Sequence, residues 1–292
     1  MVRRRHTAAL VLSLLALVPL TVPGLAEGGI IVQYRGMDRY VGKMLAARVL
    51  NLNTEEELLR LTLPEIPAGD FPFPFGPLPE GEVYRIVFFV DVNGNGNGRY
   101  DPPPTDHAWE IVIGPLVGRM LMGFEPMPYY TDIGWPPLVD GVIDGDEYRN
   151  SLADEATGME LYWQIEGDTL YVGLVSPGTG WAAVGFSPTH GMKGADIIIG
   201  AVTEEGLVIE DHYGSSPTSH RQDESSRITR AEGKEVEGKT TIEFAIPLAS
   251  PDPNDVALTP GSEITVILAY QASSDSLTAR HTKRSALTIT LD

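Results

Sequence analysis

Apolar and polar residues alternate along much of this chain with the period of two that is typical of β-strands. The alternation is clear in Leu161–Ile165 (LYWQI) and again in Leu287–Leu291 (LTITL). Gly, Pro, Asp and Asn separate the apolar runs, and the C-terminal half has no helix-period segment of useful length. The pattern therefore predicts an all-β protein.

Strand-like runs follow one another at short, regular intervals after residue 138. The predicted strands are Met159–Ile165, Thr169–Val175, Trp181–Phe186, Asp196–Val202, Leu207–Tyr213, Thr240–Pro247, Glu263–Tyr270 and Ala286–Leu291. About eight short strands separated by turn residues indicate an antiparallel sandwich. The polar stretch His212–Arg230 is predicted to be a long loop.

The N-terminal half is also β-rich, although its pattern is less regular. Val83–Val90 (VYRIVFFV) and Ala108–Ile113 are its clearest predicted strands. Thr54–Leu61 could form a short helix instead, because Thr54 is a capping residue with Glu57 three positions later. The Pro- and Phe-rich stretch Ala68–Glu80 is predicted to be an ordered loop.

Gly, Pro and Met are concentrated in Gly114–Pro137, which we interpret as a linker between two β-sandwich domains. The chain has 292 residues, which is enough for two domains. We predict a signal peptide at 1–26, an N-terminal β-rich domain at 27–132 and a second sandwich at 133–292.

The first 26 residues have the organisation of a secretory signal peptide. Three arginines precede the apolar run Ala8–Val22, and Pro23–Ala26 supplies small residues for cleavage after Ala26. A membrane anchor is the alternative, but the run is short for a bilayer span of about 20 residues. We therefore expect a secreted or periplasmic protein with no integral membrane segment after cleavage.

The absence of cysteine limits the chemistry that the chain can perform. With no Cys there can be no disulfide, no thiolate metal site, no iron–sulfur cluster and no covalently attached c-type haem. The formal charge of −19 makes nucleic acid a poor partner. It is compatible with binding cations or a basic protein partner.

A Gly- and Asn-rich segment after the strand Val83–Val90 resembles the first half of an EF-hand calcium loop. Acidic and amide side chains stand at alternate positions, and Gly96 is the sixth residue. Position 12 is Pro102 instead of Glu, so later aspartates would have to complete the site. An Asn-stabilised hairpin loop is the structural alternative. The predicted calcium ligands are Asp91, Asn93, Asn95, Asn97, Asp101 and Asp106.

Two distant segments carry a thioether and an imidazole that could meet across a sandwich. Gly180–Gly200 contains two apolar runs joined by a polar turn with Met192, and His281 precedes the last strand. Together, Met and His form an axial pair for haem iron, a pairing that raises the reduction potential. The sequence alone does not show that they meet.

The order of these motifs resembles the DOMON domain of the cytochrome type, as in the cytochrome domain of cellobiose dehydrogenase and bacterial secreted DOMON proteins. The matching segments run through about 138–291 and include Trp181–Phe186, Gly191–Asp196 (GMKGAD) and His281. The resemblance implies an immunoglobulin-like antiparallel sandwich that binds haem b non-covalently. It implies Met192 and His281 as axial ligands, with Trp181, Phe186 and His190 in the pocket.

Such a protein is predicted to transfer single electrons and not to catalyse a reaction, because two protein ligands leave iron no open position. Its electrons would come from a redox protein partner, since the sequence has no flavin or nicotinamide fingerprint. Some relatives use a lysine opposite the methionine, and Lys193 and Lys283 lie beside the two candidate ligands. We favour His281, because a lysine must first lose a proton.

The main alternative is a haem-free DOMON module that binds carbohydrate or another small ligand. Trp135, Trp163 and Trp181 could then provide stacking surfaces. A hydrolase is a weaker alternative, because the sequence has neither a G-x-S-x-G elbow nor an H-E-x-x-H zinc motif.

Overall fold

A computed structural model describes residues 28–93, 99–144 and 147–292. The described residues divide into two compact units, one ending at Gly134 and the other running from Trp135 to Asp292. They form β-strands and one 3₁₀ helix at Asp38–Tyr40, with no α-helix among them. The predicted signal peptide lies outside the described residues, and no described helix is long and apolar enough to cross a bilayer.

The first unit contains seven of the described strands, arranged in two sheets. Their bounds are β1 Gly29–Tyr34, β2 Leu45–Asn51, β3 Glu57–Leu63, β4 Phe71–Phe75, β5 Tyr84–Val90, β6 His107–Ile113 and β7 Arg119–Phe124. The strand orders are β4-β1-β7 and β3-β2-β5-β6. Strands β1 and β7 are parallel, and the other pairs are antiparallel.

Side chains from both of these sheets form one apolar core. Tyr34 stacks on Phe71 with ring centroids 4.9 Å apart, and Phe88 meets Phe124 edge-on at 4.8 Å. Aromatic pairs in these geometries contribute beyond the area that they bury. The first unit is therefore a closed β-sandwich with its aromatic residues at the centre.

Three predictions for this unit are corrected. The segment Gly114–Pro137, interpreted as a linker, contains the strand β7, which pairs in parallel with β1. The short helix proposed at Thr54–Leu61 is the strand β3, because Glu57 binds Arg48 and Arg60 at 2.7 Å instead of closing a capping box with Thr54. The predicted loop Ala68–Glu80 contains the strand β4, whose Phe71 and Phe75 enter the core. Its prolines are tolerated because β4 is an edge strand.

The second unit has eleven described strands, also in two sheets. Their bounds are β8 Asn150–Ala153, β9 Glu160–Glu166, β10 Thr169–Ser176, β11 Ala182–Phe186, β12 Asp196–Thr203, β13 Gly206–Ser216, β14 Ser219–Gln222, β15 Arg230–Val236, β16 Lys239–Pro247, β17 Glu263–Tyr270 and β18 Lys283–Thr290. The five-stranded sheet has the order β15-β16-β10-β9-β8, and the six-stranded sheet β14-β13-β12-β11-β17-β18. Every pair within them is antiparallel.

The core of this unit comes from one face of each sheet. Trp163, Val172 and Phe244 represent the five-stranded sheet, and Val184 and Leu268 represent the six-stranded sheet. Because strand residues alternate between faces, their neighbours along each strand point to the outside of the sandwich. The prediction of an all-β chain with a C-terminal antiparallel sandwich is confirmed.

Three polar strands of this unit were not predicted. Strand β8 has four residues, and β14 lies within the segment predicted to be a loop, as does the first residue of β15. Each is at the end of its sheet, so few of its side chains enter the core. A strand of this kind has no apolar alternation from which to predict it.

Candidate functional site

The outer face of the six-stranded sheet carries a second apolar cluster, separate from the core. In β11, Ala182, Val184 and Phe186 point into the core, whereas Ala183 and Gly185 point outward. The members of the outer cluster are Trp181, Ala183, Ala195, Ile197, Ile199 and Ala201, with Met192, Ile267, Ala269 and Leu277 packed against them. A sheet that is apolar on both faces needs a covering on its outer face as well as a core on its inner face.

A cavity of about 890 Å³ lies on this outer face. Its floor is apolar and includes Trp181, Ile197 and Ile267. Two segments form its walls, Pro188–Met192 on one side and Thr278–Ser285 on the other. The cavity therefore lies between the two segments in which the sequence placed the candidate haem ligands.

Met192 lies in this cavity wall, and main-chain hydrogen bonds hold its loop. The Met192 N–H donates to Pro217 O at 3.1 Å, and the Gly194 N–H donates to Gly214 O at 2.8 Å. Gly191 has a φ of +60°, and a Cβ there would collide with the carbonyl of Pro217. The glycines of the motif thus allow the close approach that positions the half-buried Met192.

His281 lies in the opposite wall, just before β18. The indole N–H of Trp181 donates to Ala279 O at 3.1 Å, and the Thr282 N–H donates to Tyr270 O at 2.7 Å. Burial lowers the pKa of His281, and the positive charges of Arg284 and Arg280 lower it further. The imidazole is therefore neutral at ordinary pH and keeps a lone pair for a ligand.

The other predicted pocket residues do not all lie on the cavity. Trp181 lines the floor, and the exposed His190 lines the wall beside Met192. Phe186 points into the sandwich core instead, because its position on β11 has the parity of Val184. Of the candidate lysines, Lys193 pairs with His190 in a short β-bridge, and neither it nor Lys283 lines the cavity.

Comparison with known families gives the fold a family name. A family profile described as the DOMON domain matches residues 155–271. Residues 155–271 form a DOMON domain. The matched region runs from just after β8 to the end of β17, so it includes most of the sandwich and one wall of the cavity.

Curated relatives match about half of this chain. The protein called DBH-like monooxygenase protein 1 is 30% identical over 146 residues in Mus musculus, covering 47% of this chain and 24% of the mouse protein. The Homo sapiens protein is 29% identical over 137 residues, covering 46% of this chain and 22% of its own length. The chain thus spans about a quarter of the relatives it matches.

Two solved structures are also similar to this chain. One is the cytochrome b domain of pyranose dehydrogenase from Coprinopsis cinerea, with a TM-score of 0.38, 12% identity and coverage of 48% of this chain and 80% of that one. The other is the cytochrome domain of Myriococcum thermophilum cellobiose dehydrogenase, with a TM-score of 0.37, 11% identity and coverage of 49% and 88%.

A chain of three titratable side chains reaches the cavity from its β13–β14 side. His220 lines the cavity, and its Nδ1 lies 2.8 Å from His212 Nδ1. His212 Nε2 in turn lies 2.8 Å from Glu210 Oε2. Since a carboxylate accepts hydrogen bonds, the neutral tautomers that fit are His212 donating to Glu210 and His220 donating to His212.

The inner side of the same sheet holds a buried acidic cluster that the sequence analysis did not predict. Asp196, Asp211 and Asp255 present carboxylate oxygens within 4.8 Å of one another, and Arg227 forms an ion pair with Asp196. Burial raises the pKa of Asp196 to about 7 and that of Asp211 to about 6, despite the nearby arginine. One cation among three carboxylates does not offset their desolvation.

The predicted calcium loop lies in the first unit and is only partly described. Asn95 and Asn97 fall outside the described residues. Asp106 is buried and accepts hydrogen bonds from the N–H groups of Val92 at 3.0 Å and Asp101 at 2.9 Å. Asn93 donates to Asp101 at 2.6 Å. These contacts fit a side-chain-stabilised loop, and calcium binding, with Asp91 among its ligands, stays a prediction.

Proposed function

We propose that the DOMON domain binds haem b non-covalently and transfers single electrons. The observation that carries this proposal is that Met192 and His281, which are far apart in sequence, line the same cavity. The lining and the volume of the cavity also suit such a ligand. Its floor is built from apolar side chains, and its volume is within the range of about 300–1,000 Å³ that is usual for small-molecule sites.

The donor set fits haem iron. A thioether and a neutral imidazole bind iron without losing a proton, and the pairing favours a raised reduction potential. The bound group would supply a one-electron redox centre. Met192 and His281 would hold it from opposite walls, and Trp181, Ile197 and Ile267 would exclude water from one of its faces.

This arrangement supports electron transfer more than catalysis. If Met192 and His281 both bind the iron, the cavity offers no metal position to a substrate. The name monooxygenase belongs to relatives of which this chain spans about a quarter. We propose that the partner is a redox protein and that the chain is exported, as residues 1–26 predict.

Absorbance spectroscopy of the full chain tests the ligand pair. Wild-type protein reconstituted with haemin should show a Soret band with sharp low-spin bands after reduction. Met192→Ala and His281→Ala should each shift the spectrum to high spin or weaken haem uptake. Met122→Ala and His107→Gln, both in the first unit, are the matched controls and should leave the spectrum unchanged.

Two outcomes would contradict the proposal. If both cavity variants keep the wild-type spectrum, Met192 and His281 are not the ligands. If the protein takes up no haemin and binds sugars instead, it is a haem-free binding module.

Among the three tryptophans suggested for stacking, Trp181 lines the cavity, whereas Trp163 is buried in the core, where its indole N–H donates to Thr290 O at 2.8 Å.

A further inference from the structure

The charge on the cavity wall is opposite to the charge of the chain. Asp and Glu outnumber Lys and Arg by 40 to 21 in the sequence. The described residues that line the cavity nevertheless include no acidic side chain. They include two arginines, Arg280 and Arg284, and three histidines, His190, His220 and His281. The cavity is thus a positive site in an acidic protein, and such a site attracts anions.

The two arginines have no carboxylate partner within the part of the chain that the structure describes. Other arginines of the same unit do have one: Arg227 pairs with Asp196, and Arg149 lies 3.5 Å from Glu166. Arg280 and Arg284 are exposed, and both line the cavity. Their guanidinium groups are therefore free to bind a ligand.

Apolar and cationic groups occupy different parts of the cavity. The apolar side chains of Trp181, Ile197 and Ile267 form the sheet side, whereas Arg280 precedes β18 and Arg284 is its second residue. A ligand that satisfies both parts has a broad apolar body with carboxylate groups at one edge. Guanidinium groups suit that edge, because they bind carboxylates through two parallel hydrogen bonds.

We propose that Arg280 and Arg284 bind the carboxylates of a planar dicarboxylic porphyrin, so that the cavity distinguishes the free acid from its neutral ester. This inference rests on the proposed function, because it concerns the same cavity. It differs in being independent of the metal: carboxylate recognition is the same whether or not the ring contains iron. The arginines also fix orientation, with the carboxylates at the β18 side and the apolar edge over Ile197 on β12.

Metal-free protoporphyrin IX tests the inference without any contribution from axial ligation. The full chain would be titrated with protoporphyrin IX and, separately, with its dimethyl ester, and binding followed by quenching of tryptophan fluorescence. The wild-type protein should bind the diacid at least about tenfold more tightly than the ester. Added salt should reduce that preference, since the guanidinium groups are exposed.

Substitution of both arginines should remove the preference. In an Arg280→Gln/Arg284→Gln variant, affinity for the diacid should fall about tenfold, while affinity for the ester should stay within twofold of wild type. Arg230→Gln is the matched control, because Arg230 is an exposed arginine on β15 of the other sheet. It should change neither affinity.

The result separates this inference from the ligand assignment. Met192→Ala and His281→Ala should bind metal-free protoporphyrin IX as the wild type does, even though their haem spectra change. Equal binding of diacid and ester by the wild type would overturn the inference, as would an unchanged preference in the double variant or no porphyrin binding at all. An unaltered haem spectrum in Met192→Ala and His281→Ala would overturn the ligand pair alone.

Discussion

The two sheets of the second unit share one core but differ on their outer faces. Residues 135–144 and 147–149 cover the five-stranded sheet. Glu243 accepts hydrogen bonds from Tyr148 Oη at 2.7 Å and Gly141 N at 2.8 Å, and Gln164 donates to Trp135 O at 2.8 Å. On the six-stranded sheet, Met192 and Leu277 pack against the buried apolar cluster, and the cavity lies on this face.

The difference shows how a sandwich separates stability from binding. On the covered face, buried polar side chains have partners within the unit, so that face is complete without a ligand. On the open face, which carries the cavity, the floor is apolar and the two arginines of the wall have no acidic partner among the described residues. Substitutions on the inner or covered faces should therefore change stability, and those on the open face should change binding.

The largest expected effect compares neighbouring isoleucines on β12. Ile198 points into the core, whereas Ile197 lines the cavity. Ile198→Ala should lower the free energy of unfolding by about 2–5 kcal/mol, because the closed core cannot refill the space. Ile197→Ala should cost at least about 1 kcal/mol less, since its side chain already borders open volume.

Urea denaturation of both variants measures these costs, and haemin titration provides the second readout. Ile197→Ala should weaken haem binding, while Ile198→Ala should leave affinity unchanged under conditions where it is folded. Equal stability losses in the two variants would show that the open face is packed as a core.

Strand alternation was enough to predict most of the sandwich, but not which face of each strand is inside. Strand β12 contains the run Ile197, Ile198 and Ile199, which is apolar on both sides. Phe186 was predicted to lie in the pocket because a local sequence contains no information on which side the second sheet packs. The resemblance pointed to Met192 and His281, and the segments that carry them line one cavity.

The acidic cluster and the arginine pair were beyond sequence analysis for a different reason. Asp196, Asp211 and Asp255 are on separate segments and converge only when the strands pair. Arg280 and Arg284 look like ordinary surface residues until the cavity beside them is known. Clusters of this kind depend on long-range pairing, which neither periodicity nor spacing predicts.

The covered face should make stability depend on pH through Glu243. Burial raises the pKa of this carboxyl from 4.5 to about 7. Hydrogen bonds from the Tyr148 hydroxyl and from the N–H groups of Asp140 and Gly141 lower the pKa, but by less. The folded protein then holds a proton that the unfolded chain has released, so stability is highest below about pH 4.5 and falls as pH rises through 7. The loss should be about 2–3 kcal/mol.

Unfolding free energies between pH 5 and 8 test this dependence. In Glu243→Gln, the free energy of unfolding should fall less steeply with pH, because the buried carboxyl is gone. Glu263 is an exposed glutamate at the start of β17, and Glu263→Gln should keep the wild-type slope. Asp196 and Asp211 contribute slopes of the same sign, because burial raises their pKa values as well. A curve for Glu243→Gln that falls as steeply as that of the wild type would contradict the assignment.

A substitution can disturb the cavity on the open face without changing any side chain that lines it. A Cβ on Gly214 would collide with the carbonyl of Met192, so Gly214→Ala must displace the loop that holds the candidate ligand. We expect a stability loss of about 1–3 kcal/mol from this overpacking. Haem should change from low to high spin, as in Met192→Ala.

Gly123→Ala is the control for this substitution. Gly123 is also in a strand, but a Cβ there would meet no atom within 4 Å. The control should leave both the spectrum and the unfolding curve near those of the wild type. A normal low-spin spectrum in Gly214→Ala would mean that the Met192 loop is not fixed by its contact with β13.

The smallest expected effect concerns the hydrogen-bonded chain Glu210, His212 and His220 on the open face. Burial and the neighbouring His212 lower the pKa of His220, and Glu210 raises it. Glu210→Gln should therefore lower the pKa of His220 further, which NMR titration of its ring would measure. Stability should change by less than about 1 kcal/mol, because Glu210 is partly exposed.

Glu205→Gln, in the turn between β12 and β13, removes an exposed charge of the same type and should leave His220 unchanged. The comparison of the two faces depends on the contrast between Glu243 and Glu210. Loss of the Glu243 carboxylate on the covered face should change folding, while loss of the Glu210 carboxylate should change only the titration of a cavity residue. A rise in the pKa of His220, or a stability loss as large as that from Glu243, would show that the open face is held together as tightly as the covered one.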